Sequence, residues 1–76
     1  MKTLEAFVKL KRKETSLTQQ EFAEKAGVAL TVVQKIEQGK NNLQLKKVNQ
    51  VLKMFGHTLA PISLKQIKDE ESEDIL

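Results

Sequence analysis

Apolar residues recur through the first 56 residues at intervals of three and four, the spacing that places side chains on one face of an α-helix. The pattern predicts four short helices, of which the first covers residues 4–14 and the fourth runs from about residue 46 to residue 55. The sequence therefore indicates an all-α domain. The side chains expected to form its core are those of Leu4, Phe7, Val8, Leu10, Phe22, Ala23, Ala26, Val33, Ile36, Leu45, Val48, Val51, Leu52 and Phe55.

The start of the second helix carries the strongest local signal in the chain. Thr18 is followed three residues later by Glu21, the pattern of a capping box in which each side chain accepts the other residue's amide hydrogen. Leu17 and Phe22 can form the hydrophobic staple that accompanies such a cap. Gly27 ends the helix because glycine adopts a positive φ at little cost. Only two or three residues then precede the next periodic run, so the second and third helices form a helix-turn-helix candidate.

The pattern changes after residue 56 to an alternation that is typical of a strand. Pro61 has no amide hydrogen to donate, which restricts the segment to a short or edge strand. A lone strand has no partner in an otherwise helical chain, so we predict that it pairs with the same strand of a second subunit. The residues that share its dimer-forming face are Thr58, Ala60, Ile62 and Leu64.

Composition and charge narrow the class of protein. The 76 residues include no cysteine and a single histidine, His57, so one small domain must close without disulfides or a structural zinc site. Residues 1–68 hold thirteen basic and five acidic side chains, a net charge of +8, whereas residues 69–76 hold five acidic ones and no basic one. A basic body is typical of a protein that binds nucleic acid, although a solubilising lysine-rich surface has the same charge.

Three parts of the chain follow from these observations. Residues 1–56 form the helical domain, residues 57–65 the dimerisation strand, and residues 66–76 an acidic tail that we expect to be disordered. No apolar run approaches the roughly 20 residues of a membrane-spanning helix, and the first residues lack the apolar stretch of a signal peptide. We expect a cytoplasmic, nucleoid-associated protein that does not bind membranes.

Residues 19–40 resemble the helix-turn-helix of phage Cro and repressor proteins. The shared features are glutamine at the helix start, alanine in mid-helix, glycine at the turn, a β-branched residue inside the third helix, and the sequence Ile-Glu-x-Gly at its end. The resemblance covers about residues 4–56 and implies a lambda-repressor-like fold of four to five helices. Residues 48–57 and the strand after them are similar to HipB-type antitoxins, in which that strand pairs across a dimer.

The resemblance places the third helix in the DNA major groove, where residues near its N-terminus face the base edges. Lys35 could bind guanine O6 and N7, Gln34 could pair with adenine, and Thr31 could donate or accept a hydrogen bond. Ala29 and Leu30 could contact a thymine methyl group, but they make a poor N-cap, and polar residues are common at these positions. We therefore expect weaker base readout from the helix start. The alternative is a helix face that meets only solvent.

Phosphate contacts are expected at both ends of this unit. The amide groups at the start of the second helix form an anion site together with the side chain of Gln19, which could equally be an inert residue of the first turn. Gln38, Lys40 and Asn41 match the second phosphate clamp of the related repressors.

Arg12 and Glu37 look like active-site charges, but in related repressors the matching residues form a buried ion pair between the first and third helices. We expect the same structural role here. The serines have no histidine in a suggestive pattern, and the three glycines all mark helix ends rather than a phosphate loop. The sequence therefore predicts no catalytic residue, no metal ligand and no cofactor.

The function implied is a homodimer that binds double-stranded operator DNA. The resemblance to HipB further implies that the protein is an antitoxin, which represses its own operon and binds a HipA-like kinase toxin. The tail ends in Ile75 and Leu76, which could contact that toxin or could belong to a solvated end. Two alternatives stay open: a free-standing repressor of the same fold, and an interaction module that neutralises an enzyme without reading DNA.

Overall fold

The computed structural model describes residues 3–65. Within this range the chain forms four α-helices: α1 (Leu4–Glu14), α2 (Gln19–Ala26), α3 (Leu30–Glu37) and α4 (Leu45–Lys53). Helix α3 packs against each of the other three. The predicted all-α class is confirmed, and α4 begins and ends slightly earlier than the sequence suggested. None of the described helices is long and apolar enough to cross a membrane.

The core contains side chains from all four helices, and its aromatic rings form one cluster. Phe22 stacks on Phe55 with ring centroids 5.7 Å apart, and Phe7 meets Phe55 edge to face at 6.4 Å. The ring of His57 lies 4.7 Å from that of Phe7. The buried core residues are Val8, Phe22, Ala23, Ala26, Val33, Ile36, Val48, Val51 and Leu52.

Two expected core residues lie on the surface instead. Leu10 is 43% exposed, because it lies at the margin of the apolar stripe, three residues beyond Phe7, which is itself only half-buried. Leu45 is 69% exposed as the first residue of α4, where the helix begins beyond the edge of the core. Both residues were predicted to be in the core from the spacing of apolar residues alone. Such spacing indicates that a residue belongs to the apolar stripe of a helix, but it does not indicate how much of that stripe is buried.

The predicted cap of α2 is present in full. The Glu21 amide donates to the Thr18 hydroxyl at 3.1 Å, and the Thr18 amide donates to the Glu21 carboxylate at 2.9 Å. Leu17 is half-buried and packs against the core. Helix α1 has a simpler cap, in which the Thr3 hydroxyl accepts from the Ala6 amide at 3.2 Å. The starts of α2 and α1 are thus both fixed by side-chain hydrogen bonds, of which the sequence analysis predicted those of α2.

Every described helix ends in the same way, with one residue in the left-handed region and a backbone bond that reaches back five residues. Glycine takes this position after α2, α3 and α4, as predicted, whereas Ser16 takes it after α1 with φ of 59°. The bonds that reach back are from Leu17 to Arg12, Val28 to Ala23, Lys40 to Lys35, and His57 to Leu52.

The segment after α4 departs from the prediction. Residues 57–63 have no regular secondary structure, and the backbone becomes helical at Leu64, where the Ser63 hydroxyl accepts from the Lys65 amide. The predicted strand is absent from the described chain because no other strand offers it an edge. Its pairing across a dimer stays a prediction.

The side chain that turns inward from this segment is Leu59, which packs against the core. The predicted dimer-forming set of Thr58, Ala60, Ile62 and Leu64 is exposed.

We predict that Gly27→Ala lowers the free energy of unfolding by about 1–2 kcal/mol, because a side chain is strained at φ of 76°. A Cβ at this position would also lie 3.0 Å from Nε2 of Gln50. Gly56→Ala is the matched control, since its φ is 70° and a Cβ there meets no atom within 4 Å. Urea unfolding of both variants measures the difference. Equal losses of unfolding free energy in the two variants would show that the close approach to Gln50 does not destabilise Gly27→Ala.

Candidate nucleic-acid interface

Helix α3 divides its side chains between the core and solvent. Val33, Ile36 and Glu37 are buried on one face. On the opposite face Thr31, Lys35 and Gln38 are exposed and Gln34 is half-buried. The predicted readers Thr31, Gln34 and Lys35 therefore lie together on a surface that the core does not use.

The start of α3 is as weakly capped as the sequence predicted. Ala29 precedes the helix without any side-chain hydrogen bond to its amides, and the Val32 amide bonds to the Ala29 carbonyl at 3.0 Å. Ala29 is exposed and Leu30 half-buried. This end of the helix presents methyl groups where a hydroxyl or carboxamide could have formed hydrogen bonds with a base.

A bidentate ion pair holds α3 to α1. Arg12 donates from Nε to one oxygen of Glu37 at 2.7 Å and from Nη2 to the other at 3.0 Å. Its third donor, Nη1, reaches the Leu17 carbonyl in the α1–α2 loop at 3.0 Å. The Glu37 side chain is only 3% exposed and that of Arg12 16%. The geometry matches the structural pair that the resemblance implied.

Gln19 belongs to the same network. Its Nε2 donates to Glu37 Oε1 at 3.1 Å, so the start of α2 is tied to the end of α3. Gln19 is half-buried beside the ion pair and is therefore not the inert residue of the alternative interpretation, whereas its phosphate contact stays a prediction. A carboxamide nitrogen carries two hydrogens, which leaves one for a further acceptor such as a phosphate.

The environment of Glu37 favours its charged form. Burial, the largest single influence, disfavours the carboxylate, but hydrogen bonds from Arg12 and Gln19 and the charge of Arg12 act against it together. The pKa of Glu37 consequently lies below its ordinary value. Among the described residues, no buried side-chain nitrogen or oxygen lacks a hydrogen-bond partner.

The phosphate contacts predicted after α3 lie on an exposed loop. Gln38, Lys40 and Asn41 are all exposed there. The loop continues into a polar depression of about 260 Å³ between α3 and the start of α4. Its polar lining comes from Thr31, Lys35, Asn42, Gln44 and Lys47.

Sequence reasoning missed three of these residues, Asn42, Gln44 and Lys47. The signal available was a polar run directly before a helix that contains a lysine in its first turn. Gln44 precedes α4 without capping it through its side chain, so the amides of that helix start have no side-chain acceptor. A helix N-terminus beside two lysines, here Lys35 and Lys47, is electrostatically suited to a phosphate group.

Residues 8–61 match the helix-turn-helix family HTH_3, and the chain belongs to that family. Over 51 residues it is 45% identical to y4mF of Sinorhizobium fredii (strain NBRC 101917 / NGR234), described as an uncharacterized HTH-type transcriptional regulator. The similar region covers 67% of each chain. The resemblance to helix-turn-helix repressors is thereby confirmed at the level of the family. Neither match separates HipB-type antitoxins from other members.

The predicted toxin contacts Ile75 and Leu76 lie outside the described residues. The same holds for the rest of the acidic tail, residues 66–76.

We predict that the stabilising contribution of Glu37 is present above its ordinary pKa, about 4.3. It is lost as the pH falls through the lower pKa of the folded state, because protonation removes the ionic bonds with Arg12. The difference in unfolding free energy between the wild type and Glu37→Gln should therefore shrink as the pH is lowered from 7 to about 2.5. Glu24→Gln, the same change on an exposed residue of α2, is the control. A difference for Glu37→Gln that is constant with pH would contradict the assignment.

Proposed function

We propose that the protein is a transcriptional repressor that binds operator DNA as a homodimer, with α3 in the major groove. One observation carries this proposal: Thr31, Gln34 and Lys35 share the face of α3 opposite its buried residues. In helix-turn-helix proteins the second helix of the unit presents such a face to base edges. Membership of the family and the regulator of Sinorhizobium fredii support the same function.

Groups suited to phosphate lie in two places next to α3. Gln19 and the start of α2 lie beside the end of α3, joined to it through Glu37. Lys40 and the depression before α4, with Lys47, follow α3 along the chain. This arrangement supports a binding mode in which α3 reads bases while its neighbours hold the two phosphate backbones.

The net positive charge of the protein supports a large electrostatic contribution to its affinity for DNA. Residues 1–68 carry a net charge of +8. A dimer that neutralises several phosphates releases as many counterions, so log K should fall against log salt with a slope near −0.9 per phosphate.

We predict that Lys35→Ala and Lys40→Ala weaken DNA binding in different ways. The duplex is selected from a random pool with the full chain, and affinities are measured by fluorescence anisotropy over a salt series. Lys35→Ala should cost about 1–3 kcal/mol on the selected sequence and relax the preference at one base pair. Lys40→Ala should weaken all sequences alike and reduce the salt slope by about one.

Lys53→Ala is the matched control, because it removes the same charge from the exposed far end of α4. Equal effects of Lys35→Ala and Lys53→Ala would contradict a reading role for α3. A wild-type affinity that does not change with salt would contradict DNA binding itself and favour an interaction module without DNA readout.

An apolar groove on the surface supports the proposal that the protein forms a homodimer. It has a volume of about 610 Å³ and lies between the start of α1 and the segment after α4. Ile62 borders it and is 40% exposed, and Leu64 just beyond is 75% exposed. A second copy whose residues 58–64 lie along this groove would cover both side chains. The apolar lining consists of Leu4, Phe7, Leu52, Leu59, Ala60, Pro61 and Ile62.

We predict that Ile62→Asp yields folded monomers that bind a palindromic duplex poorly, because a carboxylate at this position cannot be buried without a partner. Met54→Asp makes the same change at similar exposure, 37%, outside the groove and should leave the dimer intact. Sedimentation equilibrium gives the oligomeric state, and circular dichroism the fold. A dimer of undiminished affinity in Ile62→Asp would remove this surface from the interface.

The narrower role of antitoxin stays a prediction, supported by the resemblance of residues 48–57 to HipB-type proteins. It is tested by calorimetric titration of the full chain against a HipA-like kinase. Deletion of residues 69–76 should weaken that binding if Ile75 and Leu76 contact the toxin, and should leave DNA binding equal or slightly tighter. No kinase binding by a chain that binds DNA would identify a free-standing repressor.

A further inference from the structure

The turn between α2 and α3 depends on a side chain from α4. The backbone bonds that close this turn use the carbonyls of Ala23 and Glu24. The carbonyls of Ala26 and Gly27 receive their hydrogen bonds from Gln50, whose Nε2 lies 3.0 and 2.9 Å from them. The last free carbonyls at a helix end need such a donor. Gln50 therefore fixes the turn from which the recognition helix starts.

The adjacent residue of α4 holds a different part of the chain. Oδ1 of Asn49 accepts from the Leu59 amide at 2.7 Å and from the Thr58 hydroxyl at 3.1 Å. Leu59 then packs against the core, while Ile62, three residues on, is exposed at the apolar groove. Asn49 thus fixes the segment that we place at the dimer interface.

Through Asn49 and Gln50, helix α4 connects the segment after α4 with the turn between α2 and α3 at a fixed distance. Val48, Val51 and Leu52 hold the helix in the core, so its position is set by packing. Consecutive side chains on a helix diverge by about 100°, which lets neighbours reach opposite regions. Three of the four bonds join a side chain of α4 to a backbone group, and hydrogen bonds are directional in a way that apolar contacts are not.

We propose that Asn49 and Gln50 are positioning residues that determine which half-site spacing the dimer accepts on DNA. The inference rests on the proposed function, because two recognition helices belong to one assembly only through the dimer interface. In that assembly their separation must match about one DNA turn, 34–36 Å. The chain path between α3 and the interface runs through Gln50, α4 and Asn49. Neither side chain needs to touch DNA.

The two carboxamides differ in which atom acts, and this allows a sharp test. Asn49 uses its oxygen as an acceptor, so Asn49→Asp keeps both bonds while Asn49→Leu removes them. Gln50 uses its nitrogen as a donor, so Gln50→Glu removes both bonds at nearly unchanged shape. The same change from carboxamide to carboxylate is therefore expected to keep the hydrogen bonds at Asn49 and to remove them at Gln50.

The experiment measures affinity of each full-length variant for three duplexes. The first is the palindrome selected by the wild type, the second has two base pairs inserted between its half-sites, and the third has a single half-site. The readout is the ratio of affinities for the first two duplexes within one variant, so that an altered charge cancels. Sedimentation and circular dichroism establish that each variant is a folded dimer.

The wild type and Asn49→Asp should prefer the selected spacing, whereas Asn49→Leu and Gln50→Glu should lose tenfold or more of that preference. Asn49→Leu, which adds no charge, should change little on the single half-site. Should the last two variants not fold, Asn49→Ala and Gln50→Met remove the same groups with less perturbation. Folded dimers that keep the wild-type ratio without these bonds would overturn the inference and leave the proposed function standing. A wild type that selects no duplex would instead overturn the proposed function, and this inference with it.

Discussion

The carboxylate of Glu37 is the point at which three helices meet. It sits on α3, accepts two bonds from Arg12 of α1 and one from Gln19 of α2, and is almost fully buried. An ionised group in such a position is tolerated only when its lone pairs are satisfied, so the donors cannot be removed one at a time without cost. The orientation of α3 relative to its neighbours is fixed by this requirement as well as by apolar contacts, which constrain direction less.

Helix α3 needs this support because it is too short to be stable alone. Eight residues make little more than two turns, and isolated helices below about 12 residues are marginal in water. Its start has no side-chain cap, and only three of its eight residues are buried. What remains is one apolar stripe, the ion pair through Glu37 and a rigid entry turn, and each of these depends on a partner from α1, α2 or α4.

The sequence predicted those parts of the structure that local rules govern. The capping box at Thr18, the left-handed glycines and the division of α3 into a buried and an exposed face depend on spacing within a few residues, and each was found as expected. The burial of Leu10 and Leu45 was mispredicted, because the width of a buried stripe depends on the helices packed against it. The bonding partner of Gln19 was missed for a similar reason, since Glu37 lies 18 residues away along the chain. The bonds of Asn49 and Gln50 to loops had no sequence signal at all, because a polar residue on a helix looks the same whether it meets water or a distant carbonyl.

The small core has a consequence for how much of the protein a cell retains. In the part of the chain that the structure describes, nine buried apolar side chains hold the four helices together, and a domain of this size has little stability to spare. Anything that binds only the folded chain adds to that stability, by about 2.7 kcal/mol at a hundred times its dissociation constant. Proteases that act on unfolded chains consequently remove unoccupied protein faster than occupied protein. Occupancy of a binding site thus lowers the fraction of unfolded chain that such proteases can reach.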